Sequence, residues 1–284
     1  MNPLVSVITP YRNAKRFLPG FVDSLWSQTA QDWCCIMVDD GSSDGGPELL
    51  RDLVADDPRF LLISNTNPKH WPGPASARNC ALALVQTDYV AFCDVDDLWH
   101  PEKLERQLTF HTSNQLDLSV SAYGRFNDNE MHSPLKSIVC PPLSLRSGTL
   151  RGRNPIPMLT VIVSAEIVND GFQEVAHEDF LFWLHLFKKH PSLRYGCLPL
   201  VLAYYCIHAE NISRQKILMP LWTYRVFRSF GKTRVSSLAN VAIWLFDHVI
   251  GLTQESCAGK YKHIQLNDLI LSSPIMLSVA EKPL

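Results

Sequence analysis

The sequence predicts an α/β architecture: a mostly parallel sheet flanked by helices, with a helical C-terminal extension. Three observations carry this. Short apolar, β-branched runs alternate with stretches of helical spacing three times in the first hundred residues, the signature of a parallel sheet covered by helices. The links between them are short. From about Arg214 onward the spacing is helical throughout, with aromatic residues set among basic ones.

Each element follows from its residues. Leu4 to Thr9 is an apolar run stopped by Pro10, and reads as a buried strand. Phe17 to Gln28 places Phe17, Phe21, Leu25 and Trp26 at helical spacing. Trp33 to Val38 is a second strand, closed by the turn Asp39-Asp40-Gly41-Ser42-Ser43-Asp44. Pro47 to Val54 predicts a second helix, capped by Asp44 or Ser43. Phe60 to Ile63 is a third strand, Pro74 to Val85 a third helix and Tyr89 to Cys93 a fourth strand. Residues 127 to 157, rich in Pro, Ser, Asn and Arg, read as loop with room for short strands. Thr160 to Val163 predicts a strand, Asp179 to Lys188 a helix, and Leu198 to Ile207 a return to the sheet. A boundary falls near residue 215, and Ser272 to Leu284 reads as a frayed tail.

Composition narrows the function. A hydrophobic share of 46% over 284 residues is enough to build a core and excludes disorder as the main state. A net charge of -2 argues against a nucleic-acid binder that works through bulk positive charge, and no nucleic-acid partner is expected. None of the eight cysteines forms a C-x-x-C pair, so they read as buried free thiols in a reducing compartment. The N-terminus lacks a basic stretch followed by an apolar core, and no apolar run approaches a membrane span. The expected location is cytoplasmic, with peripheral contact at the inner face of a membrane open to the basic and aromatic C-terminal helices. Trp222, Tyr224, Phe227, Phe230 and Trp244, among Arg225, Arg228, Lys232 and Arg234, carry that reading. The alternative is a helical appendage packing its aromatics on the main domain.

Ligands in parallel α/β sheets bind beyond the carboxyl ends of the strands. Those ends carry Thr9-Pro10-Tyr11, Asp39-Asp40-Gly41 and Asp94-Val95-Asp96-Asp97. Three carboxylates within four residues repel one another unless a divalent cation or a solvated turn stabilises them. Mg²⁺ and Mn²⁺ suit such oxygens, completing their shell with substrate phosphates. The simpler reading is an acidic turn capping the helix after Pro101. Arg78, in a helix that starts with small residues, can reach a pyrophosphate or make a surface salt bridge. Glu178-Asp179 opens a helix, where the local dipole favours the anion.

Taken together, Val5 to Asn13, Val38 to Asp44, Ala77-Arg78-Asn79 and Phe92 to Leu104 resemble the motifs of family 2 glycosyltransferases, in that family's order and spacing. A weaker likeness runs through Asn154 to Pro157 and His177 to Trp183, to about residue 213. The resemblance implies a Rossmann-like GT-A fold and inverting transfer of a sugar from a nucleotide diphosphate donor, most commonly UDP. It implies a Mn²⁺ or Mg²⁺ cofactor and a carbohydrate or lipid-linked acceptor, in cell-envelope polysaccharide or glycolipid synthesis. On it, residues 1–110 bind the donor, 111–215 form the acceptor side of the catalytic domain, and 216–284 are a helical extension. Thr9, Pro10 and Asp39 would contact the nucleotide, Arg78 would lie by the base or diphosphate, and Asp94 by the ribose or donor sugar. Asp96 would hold the metal. Asp179 would be the catalytic base, with Glu178 the second choice. Relatives more often carry an Arg after the tyrosines where this chain has Cys206 after Tyr204-Tyr205. His208 then stands as a phosphate donor, a metal neighbour or a structural residue. Two other readings remain: a catalytically silent nucleotide-sugar-binding or scaffold protein on the same fold, and a sugar nucleotidyltransferase. The latter favours a Gly-rich basic loop after the first strand, where this chain has Thr9 to Asn13.

Overall fold

A computed structural model describes residues 3–55, 57–66, 74–128, 135–146, 150–152, 154–208 and 218–249. The early apolar runs form strands β1 (Val5–Tyr11), β2 (Trp33–Asp39), β3 (Phe60–Ser64) and β4 (Tyr89–Phe92). They pair in parallel in the order β3-β2-β1-β4. Helices α1 (Leu18–Trp26), α2 (Gly46–Val54) and α3 (Ala75–Leu82) connect them. After β4 come β5 (Leu98–Trp99), α4 (Lys103–Ser113), β6 (Leu118–Asn127), β7 (Ser137–Val139) and β8 (Ile162–Ser164). Helix α5 (Glu178–Lys189), strand β9 (Tyr195–Ile207) and helices α6 (Met219–Ser229) and α7 (Arg234–Val249) follow. The boundary expected near residue 215 and the tail from Ser272 lie outside the described residues.

The sheet runs β3-β2-β1-β4-β8-β6-β9-β5, with β7 beside β6. Beyond β4 it is mixed: β8 is antiparallel to both neighbours, β6 and β9 run parallel, and β5 closes antiparallel on β9. Residues 93–97 alone separate β4 from β5, and this loop doubles back, with Asp97 N–H donating to the Asp94 carbonyl at 3.0 Å. So tight a link cannot cross a flat sheet from β4 to its far edge. The sheet curls, bringing the end of β9 back over the end of β4.

Alternation along the strands separates two cores. Ile8, Ile36 and Phe92 pack with α3 and α5 on one side. Val5, Val7, Cys35 and Met37 pack with α1, α2 and α4 on the other. In α3, Ala75, Ser76, Ala77 and Ala81 are buried, and these small side chains let the helix lie close on β1 and β2.

The structure corrects several expectations. The N-cap of α2 is Gly45, in the left-handed region at φ 77°. Asp44 acts from just outside, accepting the N–H of Gly46 at 2.9 Å and of Lys15 at 2.8 Å. The acids around Pro101 do not cap α4; Gln28 Oε1 accepts the Leu104 N–H there at 3.1 Å. Strand β9 begins at Tyr195 and contains Pro199, which sits in a bulge where β6 passes from pairing Leu198 to pairing Val201, a position that requires no ladder donor. Seven cysteines are free thiols, and Cys257 lies outside the described residues.

Candidate active site

The carboxyl ends of β1, β2 and β4 meet at one edge, as the parallel pairing requires. Tyr11 stands opposite Asp39, and the Tyr11 carbonyl accepts the Asp40 N–H at 2.9 Å. Asp39 is half-buried, and its Oδ1 accepts the Ser42 N–H at 2.9 Å, so the carboxylate shapes its own turn. Thr9 and Pro10 are buried. The Thr9 hydroxyl lies 3.8 Å from the Cys35 sulfur, inside the sheet, so the Thr9 side chain supports the strand end rather than facing the cleft. Asp40 was not singled out in the sequence, yet its Oδ1 accepts from Asn65 Nδ2 at 2.7 Å, and the same amide reaches Ser76 at 3.0 Å. This network ties the ends of β2 and β3 to the start of α3.

Arg78 is buried, with only 3% of its side chain exposed, which rules out the surface salt bridge. Its Nη2 donates to Asp94 Oδ1 and its Nη1 to Glu178 Oε1, both at 2.7 Å. One guanidinium therefore joins the end of β4 to the start of α5, 100 residues away in sequence. The Phe172 ring lies 5.5 Å from the guanidinium carbon and stacks on Phe182 of α5 at 4.3 Å. Asn79 holds Phe172 by its backbone, donating to its carbonyl at 2.8 Å and accepting its N–H at 2.6 Å.

The three acids after β4 do different things. Asp97 is buried, and its Oδ1 accepts the Cys206 N–H at 3.0 Å. Burial, and then repulsion from Asp96 and Asp94, push its carboxyl well above the usual range against the pull of that amide. It is a structural acid that locks the loop to β9. Asp94 faces Arg78. Asp96 keeps 22% of its side chain open, and its Oδ2 accepts from His208 Nε2 at 2.8 Å. Among the described residues no group of three His, Cys, Asp or Glu side chains converges as a ready-made cage. The donor set still fits Mg²⁺ or Mn²⁺, which take one or two protein carboxylates and fill the rest with phosphate and water oxygens.

Glu178 and Asp179 separate just as clearly. The residue before them, His177, is in the left-handed region at φ 59°, a conformation that costs a non-glycine residue about 1 kcal/mol or more. It turns the chain sharply into α5. Its ring packs edge-on against Trp222 of α6, 5.0 Å between centroids. Glu178 is held by Arg78; burial raises its pKa, Arg78 lowers it and Asp179 raises it further. Asp179 is half-buried. Its Oδ2 accepts from Asn154 Nδ2 at 2.8 Å and its Oδ1 accepts the Phe180 N–H at 2.7 Å. Asn154 also turns the chain before Ile156, whose N–H donates to its Oδ1 at 3.0 Å. In the sequence, the weaker family likeness over Asn154 to Pro157 and the Asn-Pro turn dipeptide pointed to it, but not to its partner.

A curled α/β sheet with acids at its strand ends and an acidic helix start across the cleft defines a class: a glycosyltransferase of the GT-A type. The model of the family described as "Glycosyl transferase family 2" matches residues 6–165, and the chain belongs to that family. It is 30% identical over 229 residues to a relative from Escherichia coli, spanning 80% of this chain and 87% of the relative. That relative is named UDP-Glc:alpha-D-GlcNAc-diphosphoundecaprenol beta-1,3-glucosyltransferase WfaP. Among solved structures, S. aureus TarS 1-349 in complex with UDP-GlcNAc is 19% identical, with a TM-score of 0.65, covering 98% of this chain and 79% of that one. Mannosyltransferase PcManGT from Pyrobaculum calidifontis in complex with GDP-Man and Mn²⁺ is 15% identical, with a TM-score of 0.60, covering 94% and 81%. These last two share the fold.

Proposed function

We propose that the chain moves a sugar, with inversion, from a nucleotide diphosphate donor of the UDP class to a hydroxyl of a lipid-linked carbohydrate acceptor. The observation that carries this is the pairing across the cleft: Asp94 and Asp96 at the end of β4, and Asp179 held ready by Asn154 at the start of α5. The E. coli relative is named for a UDP-glucose donor and a diphosphoundecaprenol-linked acceptor, which supports both choices. Residues 1–110 would hold the donor, 111–215 the acceptor, and 216–284 extend the catalytic domain.

The division of labour follows from the hydrogen bonds. Glu178 is occupied by Arg78, so Asp179 is the carboxylate left to act as base. It takes the acceptor hydroxyl proton as that oxygen bonds to the anomeric carbon, on the face opposite the leaving group. The bond from that carbon to the donor phosphate breaks, and its electrons leave with the nucleoside diphosphate. Arg78 acts through Asp94 and Glu178, fixing the distance between donor and base. Asp39, with Asp40 and Asn65 beneath it, shapes the turn that meets the nucleotide. Asp96, with His208 beside it, would hold a Mn²⁺ or Mg²⁺ ion, which would supply charge neutralisation for the diphosphate. The Mn²⁺ in the PcManGT complex supports that assignment.

The test is a screen of UDP-, dTDP- and GDP-sugars for hydrolysis with Mn²⁺ and with EDTA, followed by Asp179→Asn on the best donor. We expect metal-dependent hydrolysis, and transfer in Asp179→Asn down by roughly 10²–10⁴-fold with nucleotide binding kept. Undiminished transfer in that variant would remove Asp179 as base. A folded chain that binds no nucleotide at millimolar concentration would remove the whole assignment.

A further inference from the structure

Helix α7 shows an apolar face to solvent. Between residues 235 and 246 its exposed positions are Val235, Leu238, Ala239, Ala242, Leu245 and Phe246. Their spacing of three and four puts them on one face, and all are apolar. Val235 is 78% exposed, Leu238 59% and Phe246 58%. The polar residues point the other way. Ser237 is buried and Asn240 half-buried, and both bond back to their own helix, to the Thr233 carbonyl at 2.9 Å and the Ser236 carbonyl at 2.7 Å.

Contacts on the inner side fix this orientation. A Cβ on Gly152 would lie 3.1 Å from the Trp244 backbone nitrogen and 3.2 Å from Ile243, so α7 rests on the loop that leads to Asn154. Helix α6 packs on α5 through Phe227 against Phe180, 5.6 Å between centroids, and Phe230 against His185, 5.2 Å. The aromatics that suggested membrane contact in the sequence are thus largely used in packing. A different set of side chains is left outward.

The charge around that set is one-sided. Residues 218–249 hold Arg225, Arg228, Lys232 and Arg234 against one acid, Asp247, in a chain of net charge -2. Arg225 and Arg228 lie on the exposed row of α6. The Arg228 guanidinium donates to the Lys232 carbonyl in the connector to α7. We propose that this face is a lipid-binding surface: α7 lies along the interface of an anionic bilayer, its apolar row among the acyl chains and the basic residues on the headgroups. Two copies meeting through this face would bring both sets of cations together, which disfavours self-association. The surface is separate from the transfer site and does not depend on the donor or acceptor assigned above.

The experiment is sedimentation of the full chain with vesicles, without donor or acceptor. One vesicle set is equal parts phosphatidylglycerol and phosphatidylcholine, the other phosphatidylcholine alone. We expect binding to the anionic set, at least tenfold weaker binding to the neutral one, and loss with added salt. Leu238→Asp with Phe246→Asp should lower anionic binding at least tenfold without lowering the melting temperature. Arg225→Gln and Arg228→Gln should each lower it roughly fivefold. No binding by the folded chain, or binding untouched by these substitutions, overturns the proposal. So does a drop in melting temperature, or a dimer lost, on Leu238→Asp with Phe246→Asp, since either shows the face covered by protein.

Discussion

Replacing Arg78 by methionine removes a charge but keeps most of the aliphatic volume beside Phe172. The cost then falls on the two carboxylates left behind. Glu178 is 14% exposed, and an uncompensated charge at that depth costs about 3–5 kcal/mol. Asp94 is 39% exposed, so solvent screens it and its share is at most about 1 kcal/mol. We therefore expect Arg78→Met to lose up to about 4 kcal/mol at alkaline pH, and less at neutral pH because burial already lifts the Glu178 pKa to about 7, within the 5–15 kcal/mol typical of a folded domain. The sign of the pH dependence follows. Without the guanidinium, the folded-state pKa of Glu178 rises further above its unfolded value. The penalty is complete above that raised pKa and fades as pH falls towards the unfolded one. Urea denaturation at pH 5 and pH 8 measures this directly. In a Glu178→Gln background the same replacement should cost only about 1–2 kcal/mol, a coupling of about 2–3 kcal/mol in a double-mutant cycle. A loss that is equal at both pH values, with additive single substitutions, would refute the account.

Other substitutions probe the rest of the site. Asp96→Asn should unfold at the same urea concentration as the parent yet lose transfer by at least roughly 10²-fold, read as product formed per enzyme. Asn154→Ala frees one oxygen of Asp179, and kcat should fall about 10- to 100-fold with KM for the donor little changed. Gly171 sits at φ +67°, where a Cβ would lie 2.8 Å from Asn79 Oδ1; Gly171→Ala should cost about 1–3 kcal/mol by calorimetry. His111 is buried, and burial lowers its pKa from 6.5 to about 4. The unfolded chain binds the extra proton between those values, so stability should fall by up to about 3 kcal/mol as pH drops through that window. His111→Gln should flatten that slope in denaturation curves.

The first four strands were legible because their signals are local: an unbroken apolar run, a stop and, for β2 and β4, a carboxylate at the strand end. Strand β6 was not. Its Ser119 and Ser121 are both buried, and Ser119 is satisfied by Gln107 and His111 reaching across from α4. A buried polar residue whose partners sit on another element breaks the apolar pattern and gives no local sign of strand. Pro199 hid the start of β9 in the same way, since only pairing with β6 shows that it fills a bulge. At the site, the family resemblance pointed to Asp96 and Asp179, but not to the residues that hold them, His208 and Asn154. Arg78 could be seen as functional, yet its bond to Glu178 spans 100 residues and rests on tertiary geometry. The acidic triplet read as one feature; burial divides it into Asp97 locked to β9, Asp94 bound by Arg78, and Asp96 part-open to solvent.

The curl of the sheet also sets an order of assembly. The loop carrying Asp94 and Asp96 leaves β4 early in the chain, but it is pinned at Asp97 and at β5 only when β9 arrives, 109 residues downstream of Asp97 at Cys206. Contacts of such long sequence separation form late in folding. A chain emerging from the ribosome would carry Asp94 and Asp96 well before their loop had its final shape.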